Sequence, residues 1–184
     1  MSDVMAGTAG NDRIRGTAED DIIFGADGDD ILFGAAGDDT IRGGIGDDTV
    51  RGGTGDDQLF GNVGNDKLFG NVGNDELFGG LGDDELTGGL GNDKLAGGPG
   101  QDTLKGGPGE DTFIFSAGDF GGATDVIVDF DSNDFLAIEG FTFGSDTISD
   151  NQDGTFTFTL ADSGKSLTIA FSNGYSDFTA ENFV

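Results

Sequence analysis

The stretch GNVGNDKLFGNVGNDELFGG, residues 61–80, contains two copies of one nonapeptide, which differ only at Lys67 and Glu76. The same period runs without insertion from residue 7 to residue 114 and gives twelve consecutive copies. Glycine occupies position 1 in all twelve copies and position 4 in eleven, and Glu19 is the exception. Aspartate occupies position 6 in all twelve. Position 8 is apolar in every copy. Four positions fixed at a nine-residue period predict a stacked repeat fold.

Position 8 supplies the predicted core, because it is apolar in every copy. Side chains alternate between the two faces of a strand, so positions 7–9 predict a short strand with position 8 pointing inward. One such strand cannot enclose a core alone, but stacked copies can. We therefore expect odd and even copies to form two parallel sheets and an 18-residue coil, with about six coils over residues 7–114. The position-8 residues are Ile14, Ile23, Leu32, Ile41, Val50, Leu59, Leu68, Leu77, Leu86, Leu95, Leu104 and Phe113.

The composition points to a cation as the missing stabiliser. The 184 residues include 37 glycines, and 36 acidic against 8 basic residues give a net charge of −28. Dense like charge opposes compaction, and glycine loses much backbone entropy on folding. Divalent cations are therefore the expected partners. Nucleic acid is not, because phosphate contacts need clustered Lys and Arg.

Several classes of chemistry are excluded by residues that the chain lacks. There is no Cys, His or Trp, which excludes disulfides, Cys/His zinc sites and histidine acid–base catalysis. The abundant carboxylates belong to the repeat, so we predict no enzyme. The N-terminal segment has no apolar signal-peptide region, and no run is long enough to span a membrane. We expect any export to proceed without a cleaved N-terminal signal.

Three copies carry a family resemblance: GGIGDDTVR (43–51), GGTGDDQLF (52–60) and GGLGNDKLA (88–96). They resemble the GGxGxDxUx repeat of the RTX (repeats-in-toxin) family. The resemblance implies an all-β fold, a right-handed parallel β-roll (β-solenoid), with Ca²⁺ between the turns on each edge. It also implies a secreted, extracellular protein that uses the type I secretion machinery.

The resemblance further implies a ligand pattern for each ion. Carbonyls at positions 2 and 4 and the Asp of one turn would act with carbonyls at positions 1 and 3 and the Asp of the turn two repeats later. One such site joins Gly44, Gly46 and Asp48 to Gly61, Val63 and Asp66. Another joins Gly53, Gly55 and Asp57 to Gly70, Val72 and Asp75.

The same pattern extends along the whole array. Twelve turns form ten such pairs, so we expect several Ca²⁺ ions, roughly seven to ten. The remaining implied aspartates are Asp12, Asp21, Asp30, Asp39, Asp84, Asp93, Asp102 and Asp111. The remaining implied carbonyls are those of Asn62, Gly64, Gly79, Gly80, Leu81, Gly82, Gly88, Gly89, Leu90, Gly91, Gly97 and Pro99.

Two interpretations of the acidic positions stay open. The position-6 aspartates either bind Ca²⁺ or only form side-chain hydrogen bonds within turns. Position 5 adds a second acid in seven copies, either as solvated charge or as outer attraction for the ion. Thr8, Thr17 and Glu19 replace repeat glycines, so we expect weak or empty sites in copies 1 and 2.

The outward positions 7 and 9 differ between the two predicted sheets. The odd sheet has Arg13, Arg15, Arg51, Lys67 and Lys105 with Phe33 and Phe69. The even sheet has Arg42 and Lys94 with Phe24, Phe60 and Phe78. The odd face is suited to an acidic polysaccharide or a cell surface. The alternative is that these residues reflect strand propensity and surface packing.

The composition changes after residue 114, and twelve of the 17 phenylalanines lie in residues 113–184. Alternating patterns predict strands in 124–131, 134–141, 155–162 and 166–173, with turns at 151–154 and 162–165. Residues 124–141 are similar to the segment that caps RTX arrays, so residues 115–184 form the predicted C-terminal β cap. Asp125, Asp129 and Asp134 either bind one more ion or are surface charge. Residues 176–184 resemble a type I secretion signal.

Together these observations predict a non-enzymatic, extracellular calcium-binding module that folds on Ca²⁺ binding after secretion. The alternative is a glycan- or surface-binding module of a secreted enzyme or adhesin. Such a module would be similar to the R-modules of alginate epimerases or the RTX half of secreted metalloproteases.

Overall fold

The computed structural model describes residues 3–120, 123–142, 145–161, 163–176 and 178–184. Asp162 and Asp177, at the ends of predicted segments, lie outside the described residues. The eighteen strands are β1 Val4–Ala6, β2 Arg13–Arg15, β3 Ile22–Asp27, β4 Ile31–Ala36, β5 Thr40–Ile45, β6 Thr49–Thr54, β7 Gln58–Val63, β8 Lys67–Val72, β9 Glu76–Leu81, β10 Glu85–Leu90, β11 Lys94–Ala96, β12 Thr103–Lys105, β13 Thr112–Phe115, β14 Asp125–Ile127, β15 Phe135–Ile138, β16 Thr147–Asp150, β17 Thr155–Thr159 and β18 Ser166–Phe171.

The strands form the predicted parallel β-solenoid, in which alternate strands belong to alternate sheets. Sheet A has the order β1-β3-β5-β7-β9-β11-β13-β15. Sheet B has the order β2-β4-β6-β8-β10-β12-β14-β18-β17-β16. Within the repeats, neighbours pair in parallel with partners 18 residues apart, such as Leu59 with Leu77. The odd–even separation and the 18-residue coil are therefore confirmed.

The central strands are longer than the sequence predicted. β3 to β10 are six residues long, because each continues from positions 7–9 through positions 1–3 of the next copy. Those glycine positions still pair between coils, as Gly44 does with Asn62. The turn is thus reduced to positions 4–6. Gly44 and Gly46 have φ values of 127° and 135°, which glycine adopts without a side-chain penalty.

The core is a stack of position-8 side chains between the two sheets. From Ile23 to Phe113 all of them are fully buried. Met5 and Ile14, at the N-terminal end of the stack, are only partly buried. Their strands, β1 and β2, are the outermost strands of the two sheets at that end. The stack therefore begins one half-coil earlier than the repeat predicted, since Met5 lies nine residues before Ile14.

Parallel stacking also continues past residue 114. β14 pairs with β12, and β15 pairs with β13, with partners 23 residues apart. The antiparallel strands β16, β17 and β18 then extend sheet B. All four predicted C-terminal strands are present in the described residues, and β16 was not predicted.

The last residues cover the end of the roll. A 3₁₀ turn, Ala180–Asn182, leads to Phe183, which forms a parallel bridge with Leu136 of β15. The Asn182 amide donates to the carbonyl oxygen of Asp134 at 3.1 Å. The ring of Phe178 lies 5.1–5.3 Å from the centroids of Phe156, Phe171 and Tyr175. An aromatic cluster thus closes the core where the repeat stops.

Among the described residues, no helix has the length and apolar character needed to cross a membrane.

Candidate metal centres

The position-6 aspartates form two columns, one along each turn edge of the roll. Each lies at the end of a turn, two residues before an apolar side chain of the core. From Asp21 to Asp111 each is at most 3% exposed. Burial of eleven acids in a chain with a net charge of −28 requires compensation.

One oxygen of each carboxylate links neighbouring coils. The backbone N–H of Asp48 donates to Oδ1 of Asp66 at 2.7 Å, and the N–H of Asp57 donates to Oδ1 of Asp75 at 2.9 Å. The same bond recurs through both columns. Outside the first two turns, the aspartate side chain therefore forms its hydrogen bond between coils, and through one oxygen only.

The second oxygen has no hydrogen-bond partner among the described residues. Ten aspartates share this buried, unpartnered Oδ2. They are Asp30, Asp39, Asp48, Asp57, Asp66, Asp75, Asp84, Asp93, Asp102 and Asp111. An unsatisfied buried carboxylate oxygen is costly, and its recurrence in ten consecutive turns indicates a position for a cation.

The surroundings of this oxygen are carbonyl groups. A methyl group added to Gly43 would overlap Oδ2 of Asp48 and lie 2.8 Å from the carbonyl oxygen of Gly61. Position-1 glycine therefore leaves room for a carboxylate and a carbonyl from the next coil to converge. A side chain here would fill the same space.

The other implied carbonyls also point into the space between coils. The carbonyl oxygens of positions 2 and 4 lie against the turn of the next coil. The carbonyl of Asn62 lies beside Gly80, and that of Gly46 lies beside Gly64. The Val63 carbonyl points back and accepts the Gly46 N–H at 2.9 Å. Positions 2 and 4 of one turn thus lie against the same positions of the turn two copies later, and the ligand pattern implied by the resemblance stays a prediction.

The buried carboxyls are strongly perturbed. Burial, followed by the charges of neighbouring aspartates, raises the pKa of Asp48 and Asp57 to about 7. Burial likewise raises the pKa of Asp66 and Asp75 to about 6. Without a cation, ionisation of these groups is less favourable than that of exposed carboxyls.

The donor set fits Ca²⁺. Carboxylate and carbonyl oxygens are hard ligands, and Ca²⁺ takes six to eight of them. Within the described ranges, no three Asp, Glu, His or Cys side chains gather closely enough to hold a metal by themselves. Backbone carbonyls would therefore supply a large part of each coordination shell.

The first two turns differ because a threonine replaces the second glycine. The Thr8 hydroxyl donates to Oδ2 of Asp12 at 2.9 Å, and the Thr17 hydroxyl donates to Oδ2 of Asp21 at 2.9 Å. The backbone N–H of Thr17 is the largest contribution to the lowered pKa of Asp21. The oxygen left unpartnered in later turns is satisfied here. This contact is a physical reason for the expected weakness of the first sites.

The family profile described as the RTX calcium-binding nonapeptide repeat (4 copies) matches the chain at residues 6–41, 24–59, 33–68, 42–77, 51–86, 60–95 and 87–119. These overlapping matches cover residues 6–119, more than half of the chain. The chain belongs to the RTX calcium-binding repeat family. No curated protein sequence matches it significantly.

Solved structures with a similar backbone include two subunits of the mannuronan C5-epimerase of Azotobacter vinelandii. AlgE6R3 is 28% identical, with a TM-score of 0.49, and the match covers 76% of this RTX chain and 78% of that subunit. AlgE6R2 is 28% identical, with a TM-score of 0.40, over 73% and 90% of the two chains. The extracellular lipase LipA of Serratia marcescens is 22% identical, with a TM-score of 0.38, over 97% of this chain and 39% of the lipase.

Position 5 of the RTX repeat has a structural role that sequence reasoning missed. Oδ1 of Asp47 accepts the backbone N–H of Asn65 at 2.8 Å, and Oδ1 of Asn65 accepts that of Asp83 at 2.8 Å. Position-5 side chains thus bind the following coil, whereas position-6 side chains bind the preceding one. Asn serves as well as Asp, which explains why both occur there. The occurrence of both Asp and Asn at position 5 is the feature of the sequence that could have indicated this role.

The columns also extend beyond the twelve copies. Oδ1 of Asp125 accepts the N–H of Asp102 at 2.9 Å, and Oδ1 of Asp134 accepts that of Asp111 at 3.0 Å. Asp125 and Asp134, two of the candidate acids named from the sequence, are nine residues apart and so keep the spacing of the repeat. Asp129 differs, because both of its oxygens accept backbone N–H groups, from Gly106 and Gly107 at 3.0 Å each.

Proposed function

We propose that this chain is a non-catalytic, secreted RTX module whose β-roll folds when its turns bind Ca²⁺. The buried, unpartnered Oδ2 atom repeated in ten aspartates carries the proposal. Bound Ca²⁺ would supply positive charge at the positions where these carboxylates leave water. Roughly seven to ten such ions would offset half or more of the net charge of −28.

The residues of one turn pair have separate tasks in this proposal. The carbonyls of Gly44 and Gly46 and the carboxylate of Asp48 hold the ion from one side. The carbonyls of Gly61 and Val63, with Asp66, hold it from the other. Coil-to-coil hydrogen bonds through Oδ1 orient the carboxylates, so that the second oxygen of each remains available to the ion.

Without cations the same geometry opposes folding. Only one aliphatic side chain per nine residues enters the core, while glycine-rich turns must be ordered. In a compartment with little free Ca²⁺, we expect a largely unfolded chain. Extracellular calcium modules have dissociation constants of about 10⁻⁴–10⁻³ M, which suits folding after export.

The test is far-UV circular dichroism of the whole chain in chelator, followed by Ca²⁺ titration. We expect a sheet signal that appears with Ca²⁺ and disappears when chelator returns. The variant Asp57→Asn should shift the midpoint to higher Ca²⁺, because it removes a charged ligand. Asp56→Asn is the matched control, since Asn occupies position 5 in several copies. A sheet signal unchanged by chelator would contradict calcium-dependent folding.

Export by a type I system is the cellular part of the proposal, supported by the resemblance of residues 176–184 to such signals. The measurement is the fraction of protein in the medium when the chain is expressed with a type I exporter. Removal of residues 176–184 should retain the protein in the cell. Equal export of both forms would reject this role for the segment.

A second candidate function concerns the outer surface of sheet B. We name the arginine face by its residues Arg13, Arg15, Phe33, Arg51 and Phe69. Across strands β2, β4, β6 and β8, position 9 alternates between Arg and Phe. Arg13 lies 4.9 Å from the ring centroid of Phe33, and Arg51 lies 4.1 Å from that of Phe69.

This face combines free positive charge with aromatic surface. In the described part of the chain, no carboxylate lies within 4.0 Å of its three arginines. A shallow groove of about 570 Å³ runs between them. Lys67 lies on the outer face of the same sheet, as predicted, but its charge is paired with Glu85. The support for acidic polysaccharide binding is therefore concentrated in the N-terminal half of sheet B.

Calorimetry with a soluble polyuronate in saturating Ca²⁺ tests this candidate. We expect Arg51→Glu to weaken binding. Arg42→Glu is the matched control, because Arg42 stacks on Phe60 at 4.2 Å on the opposite sheet. Absence of binding to the polyuronate, or equal loss in both variants, would dismiss the arginine face as a glycan site.

A further inference from the structure

The coil after β13 contains an irregular loop instead of a repeat turn. Strand partners there are 23 residues apart, as for Leu104 and Ile127, so five residues are added to the regular spacing of 18. The loop lies over the turn at residues 97–102. The Gln101 amide donates to the Thr124 carbonyl at 3.2 Å, and a methyl group on Gly118 would lie 3.0 Å from the Pro99 ring.

Asp119 in this loop is buried, whereas the acids at position 5 of the repeat turns are exposed. Its side chain is 6% exposed. Oδ2 accepts the backbone N–H of Ser116 at 2.6 Å. Oδ1 is buried and has no hydrogen-bond partner among the described residues, as is also true of Oδ2 of Asp102 in the turn beneath. Two unsatisfied carboxylate oxygens therefore belong to adjacent layers of the same edge.

The carboxylates around Asp119 influence one another. Burial, followed by the charges of Asp125 and Asp119, raises the pKa of Asp102 to about 7. Burial also raises the pKa of Asp119, and the charge of Glu139 adds to this. Oε2 of Glu139 accepts the N–H of Ala117 at 2.6 Å, so it is fixed beside the loop. The carboxylates of Asp102, Asp119 and Glu139 therefore influence one another at this end of the edge.

We infer that Asp119 is a calcium ligand at a non-repeat site, where its Oδ1 and Oδ2 of Asp102 supply carboxylate oxygens and backbone carbonyls supply the remainder. The inference rests on the proposed calcium-dependent fold and adds a ligand that the nonapeptide pattern does not contain. With two carboxylate ligands, this site has the same number of charged groups as a regular turn pair and adds one ion to those of the repeat turns.

The first test is Asp119→Asn, with bound ions counted by native mass spectrometry during Ca²⁺ titration. Asn can still accept the Ser116 N–H, but it removes the charge. We expect the variant to bind one ion fewer than the wild-type chain at saturating Ca²⁺. Asp83→Asn is the control, because Asp83 is exposed and its Oδ1 accepts the Gln101 N–H, which Asn can also do. Identical loading of wild type and Asp119→Asn would overturn the inference.

A second measurement does not depend on the folding of a variant. Anomalous scattering from calcium in crystals of the wild-type chain would locate every ion. A peak within ligand distance of Oδ1 of Asp119 is the expected result. Peaks in the regular turns without one at Asp119 would reject this site alone. A folded roll without any calcium peak would reject the proposed function itself.

Discussion

At the residue scale, the aspartate at position 6 and the glycine at position 1 act as a pair. Asp48 folds back over the backbone of Gly43, and any side chain at residue 43 would occupy the carboxylate's place. This explains why the two positions are the most constant in the twelve copies. Position 2 is less constant, and its substitutions differ in cost.

Ala26 and Ala35 occupy position 2 with φ values of 91° and 101°. A left-handed conformation is unfavourable for alanine by about 1 kcal/mol or more, whereas glycine adopts it freely. We therefore expect Ala26→Gly and Ala35→Gly each to stabilise the calcium-loaded roll by about 1 kcal/mol. Urea unfolding at saturating Ca²⁺ measures the change in free energy of unfolding.

Gly44→Ala is the opposing variant for this prediction. Its φ is 127°, and the added methyl group would overlap the carbonyl oxygen of Ala26. It should destabilise the roll. If both glycine variants were neutral or destabilising, backbone strain at residues 26 and 35 would not be a factor in stability.

At the scale of elements, the sequence predicted the stacking better than the limits of the strands. Position 8, read at period nine, predicted the core from Ile14 to Phe113, and the odd–even rule predicted which strands share a sheet. The strands continue through positions 1–3 of the next copy, such as residues 43–45. This continuation was not predictable, because glycine has low strand propensity. It depends on pairing with the neighbouring coil, which only the assembled roll provides.

For the candidate sites, the nine-residue period predicted the 18-residue spacing at which the aspartates meet. The carbonyl and carboxylate ligands implied by the resemblance stay predictions. The resemblance did not supply Asp119, whose burial depends on a five-residue insertion. Nor did it supply the position-5 bonds between coils, since Asp47 and Asn65 look like ordinary surface residues in sequence.

The C-terminal tail is an element whose removal has a definite expected cost. Phe178 contacts the rings of Phe156, Phe158 and Phe171, which close the core beyond β13. Phe178→Ala should reduce the free energy of unfolding by about 3 kcal/mol, the lower part of the range for buried phenylalanine, because the side chain is only partly buried. Denaturant unfolding in saturating Ca²⁺ measures this.

Phe24→Ala provides the comparison, since Phe24 lies on the outer face of sheet A and is 38% exposed. It should cost less than 1 kcal/mol, on the order of a surface substitution. Equal effects of the two variants would mean that the tail does not contribute to closing the core.

At the scale of the whole molecule, the buried carboxyls predict how pH acts on the calcium-free chain. Burial raises their pKa from an ordinary 3.8 to about 6 for Asp39 and about 7 for Asp84. Because the pKa of these carboxyls is higher in the folded chain than in the unfolded chain, they stabilise the fold fully below pH 3.8. This stabilisation is lost as the pH rises through 6–7. In chelator, acidification from about pH 8 to about pH 5 should therefore increase the sheet signal in circular dichroism.

Acidification has the opposite effect on calcium binding, because it lowers the affinity of the chain for Ca²⁺. Protons compete with Ca²⁺ for these carboxylates, so the Ca²⁺ midpoint should fall as pH rises through the same interval. The two measurements are made on one protein sample series. A sheet signal in chelator that stays constant or decreases on acidification would contradict the burial of these groups.

The repeat architecture predicts how calcium content scales with length. Removal of residues 61–78 deletes one complete coil and joins copies of the correct parity. Repeat arrays are stabilised mainly by nearest-neighbour contacts, so the shortened chain should still fold. Its calcium count should fall by two, one from each edge, because twelve turns form ten pairs and ten turns form eight. Native mass spectrometry gives the count, and any other difference would argue against one ion per turn pair.

The two ends of the roll are unequal. At one end β15 is covered by Phe183, and sheet B continues into an antiparallel hairpin. At the other, β1 and β2 have no further strand beside them in the described residues, and Met5 and Ile14 are only partly buried. In the described residues, the roll thus has one capped end and one end with open strand edges. A further coil placed beside β1 and β2 would extend both sheets at once, whereas the C-terminal end carries the Phe183 bridge and the antiparallel strands.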